Sequence, residues 1–425
     1  MINIPRPDRH RETIIAGIGI ALEYYSIFLF GYLSFLILPY FFLRPSSFLL
    51  KLAIILEAIM GILGTMLCGH IGDTLGRKKI LVYTIACVAL PSFIISILPG
   101  YESIGITASL VFIMLRSIQM LAFGGDEIGL VTFILEDIPA NQRGRFGGYM
   151  SMGAGIGVCL ACLFVFFSNP FAEPAVFWKW RLLLIFGVFG LFIANYLKKT
   201  FGETAVFRHF KMTRPITTPP LFSLFKTNKI VFLKILGITV LAPIITIVIF
   251  GWVPQFSVKH LGLPSNQAML LNAGALFLFS LGAPIFGNWS DRLGRKRVLL
   301  GVSLFFLIFS PLLVYLLANT TTVMQFFCIE AILTFAASAY YGVAMTASIE
   351  HVPTHIRYTG VAVAYYINYA IFGGVSGNHI DRLLTGSINL ELAPVFYLMI
   401  GSAIVFISSS FLNEEARHEL SDDIK

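Results

Sequence analysis

The residues of this 425-residue chain able to do chemistry are a few acids, one arginine and a set of tyrosines, all set in apolar sequence. Arg116, Gln119, Asp126 and Glu127 fall within an arc of about 100° on one side of a helix that turns 100° per residue. Such a stripe can hold an anionic group on Arg116 and Gln119 and a proton on Asp126 or Glu127. Its plainer reading is an ion pair between Arg116 and an acid of another helix. Glu23, Glu57 and Glu330 also lie in apolar runs, where a charge is costly and faces a cavity or a partner. Glu330 recurs with Thr334, Ser338 and Tyr341 at near-helical spacing, a second polar stripe. Glu57, close to Lys51, reads as a structural or outer-gate residue, and Glu23 stands balanced between proton coupling and interhelical locking. Asp126, Glu127, Glu23 and Glu330 are therefore the candidates for carrying a coupled proton.

Aromatic residues supply the other half of a binding wall. Tyr24, Tyr25, Trp252, Tyr340, Tyr341, Tyr365, Tyr366 and Tyr369, with Asn368 among them, offer π faces for a cationic head and hydroxyls for a carboxylate. In a chain with 40 Phe, most aromatics pack or face lipid, so these count as a group rather than singly. Arg116 set against such a wall suits a zwitterion or a small carboxylate. No cofactor is implied: HExxH, GxSxG and a phosphate-binding loop are all missing, so an enzyme is not expected. His351 and His355 straddle Pro353 at a turn and do not read as metal ligands. Cys159 and Cys162 form a CxxC with no basic neighbour to activate a thiol, and read as packing.

The elements that must position these residues are membrane spans. Hydrophobic residues make up 57% of the chain, charged ones only 12%, and mean hydropathy is +0.83. A soluble protein of this length carries far more charge. Apolar stretches long enough to cross a hydrocarbon layer of about 30 Å occur near residues 13–38, 52–70, 80–98, 105–134, 146–168 and 181–197. Six more follow near 233–256, 267–287, 298–318, 322–348, 358–380 and 393–412. The expectation is an all-α membrane protein with two six-helix pseudo-symmetric bundles, residues 1–197 and 231–425, joined by a surface linker over 198–230. That linker carries Pro215, Pro219 and Pro220 amid charged residues. An even span count puts both termini on one side. Most of the 30 Lys and Arg fall there, which assigns that side to the cytoplasm of a plasma or bacterial inner membrane. The net charge of +8 is thus a topological signal, and its scatter over short loops argues against a nucleic-acid partner. Arg6, Arg9 and Arg11 lead into a full-length first span, so no cleaved leader is expected. Glycines at 144, 147, 148, 153, 155 and 157 crowd the fifth span; spaced four apart, they let helices approach closely.

Two patterns occur twice. Gly69-His70-Ile71-Gly72-Asp73-Thr74-Leu75-Gly76-Arg77-Lys78-Lys79 returns as Gly287-Asn288-Trp289-Ser290-Asp291-Arg292-Leu293-Gly294-Arg295-Lys296-Arg297, 218 residues on. Glu136-Asp137-Ile138-Pro139 with Arg143 returns as Glu350-His351-Val352-Pro353 with Arg357, 214 residues on. Two repeats in one order at nearly one spacing mark two homologous halves, and in a membrane chain that points to a transporter. Gly76 and Gly294 permit tight turns, and the cationic runs hold the loops at an anionic membrane face. Asp73 and Asp291 would accept from a helix N-terminus or an arginine and lock that side. Glu136, Arg143, Glu350 and Arg357 could pair with the loops, so the expected cytoplasmic gate is Asp73, Arg77, Glu136, Arg143, Asp291, Arg295, Glu350 and Arg357. The bland alternative is that these charges only fix topology.

On these residues the chain resembles the major facilitator superfamily, whose loop between spans two and three, repeated between eight and nine, reads like 69–79 and 287–297. Thr74 departs from the usual basic residue and His70 is unusual, so the first loop is expected to hold less tightly than the second. A narrower resemblance is to the metabolite:proton symporters, the branch that includes carriers of proline/betaine, shikimate, citrate and 2-oxoglutarate. It rests on Glu23-Tyr24-Tyr25 with Gly31, on Arg116, Gln119 and Gly124-Gly125-Asp126, and on Pro353-Thr354-His355-Ile356-Arg357-Tyr358, this last closest to the proline/betaine members. It implies proton-coupled movement of a small organic solute by a monomer. The long C-terminal extension of those members is not matched, so osmosensing through it is not carried over. Where the branch has an aspartate after the Glu-aromatic-aromatic stretch, this chain has Ser26, so coupling must use another acid or be lost. A drug antiporter is a second reading, weakened by the missing proline in Gly153-Ala154-Gly155-Ile156-Gly157. An uncoupled uniporter is a third, favoured by Ser26, and a transporter-like receptor a fourth.

Overall fold

In hydrocarbon every backbone polar group must find its partner within the segment, so apolar runs of this length fold as helices. The computed structural model describes residues 9–43, 48–168, 179–213, 219–373, 393–414 and Leu420. Among them there is no strand, and ten helices are long and apolar enough to cross a membrane. These are α1 (Arg9–Phe41), α2 (Phe48–Leu75), α3 (Arg77–Ile97), α4 (Ile106–Glu136), α5 (Arg143–Ser168), α6 (Trp180–Thr200), α7 (Lys229–Leu261), α8 (Ser265–Leu293), α9 (Arg295–Ala318) and α10 (Val323–Glu350). Two more complete the twelve: α11 (Arg357–Asn368, prolonged by a π-helical turn Tyr369–Gly373) and α12 (Ala393–Ser410). Residues 374–380 of the expected eleventh span, and Pro215 of the linker, lie outside the described residues. Helices α1–α6 and α7–α12 form two six-helix bundles.

The seam between the bundles is built on α5 and α8, where lipid-like side chains supply no hydrophobic drive and close van der Waals contact must do the joining. A Cβ on Gly148 would stand 2.5 Å from the carbonyl oxygen of Ala283, and one on Gly144 or Gly287 would collide with the facing backbone. A second face of α5, Gly153 and Gly157, packs in the same way on Gly17 and Ala21 of α1. The fifth span thus uses its glycines on two neighbours at once.

Helix α7 is interrupted. Pro243 lacks an N–H, and the backbone widens into a π-helical stretch over Thr246–Trp252. Carbonyls in and before this stretch accept from side chains of other helices. Ile238 O accepts from the Tyr340 hydroxyl (2.7 Å), Ala242 O from Tyr341 (2.8 Å), Leu236 O from Asn368 Nδ2 (2.7 Å) and Phe250 O from Tyr32 (3.1 Å). Irregular backbone at membrane depth is tolerated where buried groups re-satisfy it, and such bulges concentrate at functional positions.

Candidate functional site

The repeated motifs meet at one end of the bundle pair. Asp73, at the end of α2, accepts from the backbone N–H groups of Tyr358 (3.2 Å) and Thr359 (2.8 Å) in the first turn of α11. Asp291, at the end of α8, accepts from the N–H groups of Gly144 and Arg145 (2.9 Å each) in the first turn of α5. Each aspartate therefore crosses from one half to a helix N-terminus of the other, where the partial positive charge of the helix favours it. Arg77 and Arg295 close the motif on themselves through Asp73 (2.7 Å) and Asp291 (2.8 Å) and reach the second motif through Glu136 and Glu350 (3.0 Å each). Arg357 then joins Glu136 from the opposite half at 3.0 Å, while Arg143 stands 3.9 Å from Glu350. All eight expected gate residues are thus brought together and buried. The Thr74 hydroxyl bonds back to His70 O (2.7 Å) and takes no part in the network.

Two members of this network were not singled out from sequence. Glu203, beyond α6, accepts from the N–H groups of Arg77 (3.1 Å) and Lys78 (3.3 Å) at the start of α3. Glu414, beyond α12, accepts from those of Arg295 (2.9 Å) and Lys296 (3.3 Å) at the start of α9. Gly76 and Gly294, at φ 124° and 100°, lie beneath these carboxylates; a Cβ on either would collide with the glutamate above. The motif glycines therefore make room for a latch as well as a turn. The signal was present: a Glu follows the last span of each half at nearly the repeat spacing.

Midway along the seam lies a cavity of only about 10 Å³, lined by Glu127, Val131, Ser151, Tyr341, Met345 and Tyr365 among others. That is room for about one water molecule. The 214-residue offset maps Glu127 onto Tyr341, Val131 onto Met345 and Ser151 onto Tyr365. The cavity is thus walled by equivalent positions of the two halves, with an acid opposite a phenol. Tyr24 donates to Glu127 Oε2 (2.7 Å), and Thr246 bonds both the Tyr341 hydroxyl (2.8 Å) and that of Tyr369 (2.9 Å). The Tyr365 and Tyr369 rings lie 5.0 Å apart. Behind Glu127, Asp126 accepts from Thr84 (2.6 Å), and Glu23 lies within electrostatic reach of both acids. All three carboxyls are buried.

The remaining candidates lie elsewhere. Arg116 is spent on Glu57 by two contacts (2.9 and 3.2 Å), on Gln119 Oε1 (2.7 Å) and over the Phe30 ring at 3.9 Å. Gln119 continues to Ser92 Oγ (2.6 Å). Eleven residues of helix put Arg116 about 16 Å along α4 from Glu127, toward the other end. Tyr366 belongs with this group, against Gly61 of α2. Tyr25 donates to Leu183 O (2.8 Å) on α6, Asn368 ties α11 to α7, and Trp252 stacks on Phe256 at 4.7 Å in a small separate cluster. Glu330, equivalent to Arg116 by the same offset, lies within electrostatic reach of Tyr32 and Cys162, with one oxygen unpartnered. Ser26 bonds its own helix at Leu22 O (2.9 Å).

Residues 17–378 match the profile of the Major Facilitator Superfamily. The ectoine/proline transporter ProP of Corynebacterium glutamicum is 26% identical, the alignment covering 99% of this chain and 87% of that protein. The alpha-ketoglutarate permease of Escherichia coli is 26% identical over 96% of this chain and 95% of its own length. The glycine betaine/proline/ectoine/pipecolic acid transporter OusA of Dickeya dadantii is 27% identical over 97% and 85%. Among solved structures, the proton:xylose symporter XylE bound to 6-bromo-6-deoxy-D-glucose superposes with a TM-score of 0.76 at 16% identity, covering 97% of this chain and 98% of that one, a likeness of fold.

Proposed function

We propose that this chain, which belongs to the Major Facilitator Superfamily, imports a small zwitterion whose nitrogen is cationic, in symport with protons. The observation that carries the reading is Glu127, a buried carboxylate held by Tyr24 and facing Tyr341 and Tyr365 across the central cavity. A carboxylate inside a ring of phenols suits a secondary or quaternary ammonium by charge and by cation–π attraction. A dicarboxylate suits it less, because Arg116 is paired with Glu57 some 16 Å along the helix. The relatives named for proline, betaine and ectoine handle solutes of the favoured kind.

Asp126 and Glu23 lie one step behind Glu127, so the substrate nitrogen and the coupled proton fall to adjacent acids rather than to one. Three carboxyls so close in a dry site are stable only while they share protons. This arrangement replaces the acid that Ser26 lacks. The halves, 1–197 and 231–425, rock about the site on the linker 198–230, with the motif-bearing end and both termini facing the cytoplasm of a plasma membrane. The networks of Asp73 and Asp291 then keep the cytoplasmic side shut until substrate and proton are both aboard.

The test is uptake into proteoliposomes under an imposed pH gradient, acid outside. Wild type should accumulate proline or betaine above equilibrium and stop when the gradient is collapsed. Equal filling with and without the gradient would leave the protein an uncoupled uniporter.

A further inference from the structure

We infer that the chain carries a second binding site, for an anionic glycerophospholipid, in an open groove between α1 and α5 at the motif-bearing end. The groove measures about 340 Å³, more than thirty times the central cavity, and shares no lining residue with it. Its walls are the α1 positions Thr13, Ile14, Gly17, Ile18 and Ala21, which share one helix face, and Tyr149, Met152, Gly153 and Ile156 of α5. The backbones touch where Gly153 meets Gly17, and small residues at this crossing leave the channel above it. Ile14, Ile18 and Ile156 are exposed, the first to 62%, on a surface that in a membrane faces acyl chains.

The mouth is different in kind. His10 lines it, with its ring 5.5 Å from that of Phe146. Arg145 lies one turn before Tyr149, its Nε donating to the Tyr149 hydroxyl (2.8 Å) and its guanidinium exposed beside that ring. An apolar channel closed at one end by a cation that a tyrosine holds in place matches the two parts of a lipid. The acyl chain lies along Ile14, Gly17 and Ile18, and the phosphate meets Arg145 and His10. Neutral apolar molecules lack a reason to use the mouth, and soluble anions lack one to use the channel, so a charged lipid is the occupant committed to here. The backbone N–H of Arg145 is also the donor to Asp291, so an occupied groove sits on the turn that the second motif grips.

The test uses the full chain purified in a nonionic detergent and melted with phosphatidylglycerol or with phosphatidylcholine of the same chain length. A lipid bound only by the folded state raises the melting temperature by mass action. Phosphatidylglycerol should raise it by several degrees more than phosphatidylcholine. Ile18→Trp, which fills the channel from a lipid-facing position, and Arg145→Ala, which removes the cation, should each abolish that difference. Lys211→Ala, an exposed cation of the linker, should keep it. Because each variant is compared with itself across two lipids, a change in its basal stability does not blur the result. Equal melting in the two lipids, survival of the difference in either groove variant, or its loss in Lys211→Ala would overturn the site.

Discussion

At the scale of single residues the division of labour among the acids of the seam is open to direct test. Glu127→Gln removes the charge that faces the cavity while keeping the acceptor for Tyr24. A charge-assisted contact is worth about 1.5–3 kcal/mol, so the half-saturating substrate concentration should rise roughly 10- to 100-fold, read by radiolabelled exchange. Asp126→Asn should leave exchange near wild type and abolish accumulation under a pH gradient; accumulation that persists would remove Asp126 from coupling. Arg116→Ala should act differently, because the guanidinium touches Glu57, Gln119 and Phe30. It should lower the melting temperature by several degrees yet retain a substrate-induced shift, and a variant that melts normally but binds nothing would return Arg116 to the solute site. Arg116 and Glu127 share one face of α4 by helical geometry, yet a shared face does not mean a shared site. Which neighbour each residue meets depends on α1, α2 and α3, whose rotation no spacing in α4 reveals.

At the scale of elements, four of the helices that begin at the motif-bearing end meet a carboxylate there: Glu203 at α3, Asp291 at α5, Glu414 at α9 and Asp73 at α11. None of these acids belongs to the helix it caps, so each cap is also a bond between elements. Gly76→Ala forces a Cβ into a backbone region that only glycine adopts, at about 1–3 kcal/mol before the collision with Glu203 is counted. Glu203→Ala removes the latch and leaves the turn. The prediction is that Gly76→Ala melts well below Glu203→Ala, and that the double variant recovers part of the loss because the colliding carboxylate has gone. Strict additivity of the two changes would show that the glycine serves the turn alone. The repeats made the aspartates legible, since Asp73 and Asp291 recur inside eleven-residue strings that share six residues in register. Glu203 and Glu414 recur as single residues after unlike segments, and only their caps on α3 and α9 reveal a role.

At the scale of the whole molecule, Asp73→Asn with Asp291→Asn should weaken both cross-half caps and raise the population open at the motif-bearing end. The check is maleimide labelling of a cysteine placed at Val131, on the motif side of Glu127; a labelling rate equal to that of the parent cysteine variant would show that the caps do not hold the halves. The two-bundle architecture could be read from the repeats and the run lengths, because both follow from local composition. The closed state and the cavity size could not, because they arise from how α5 and α8 meet through Gly144, Gly148 and Gly287. The near-absence of space around Glu127 has a further consequence for the cell. A chain of hydrogen-bonded waters conducts protons, and about 10 Å³ leaves no length for such a chain. For the symporter proposed above, a state this tightly packed around Glu127 keeps idle copies from leaking protons across the membrane that holds them.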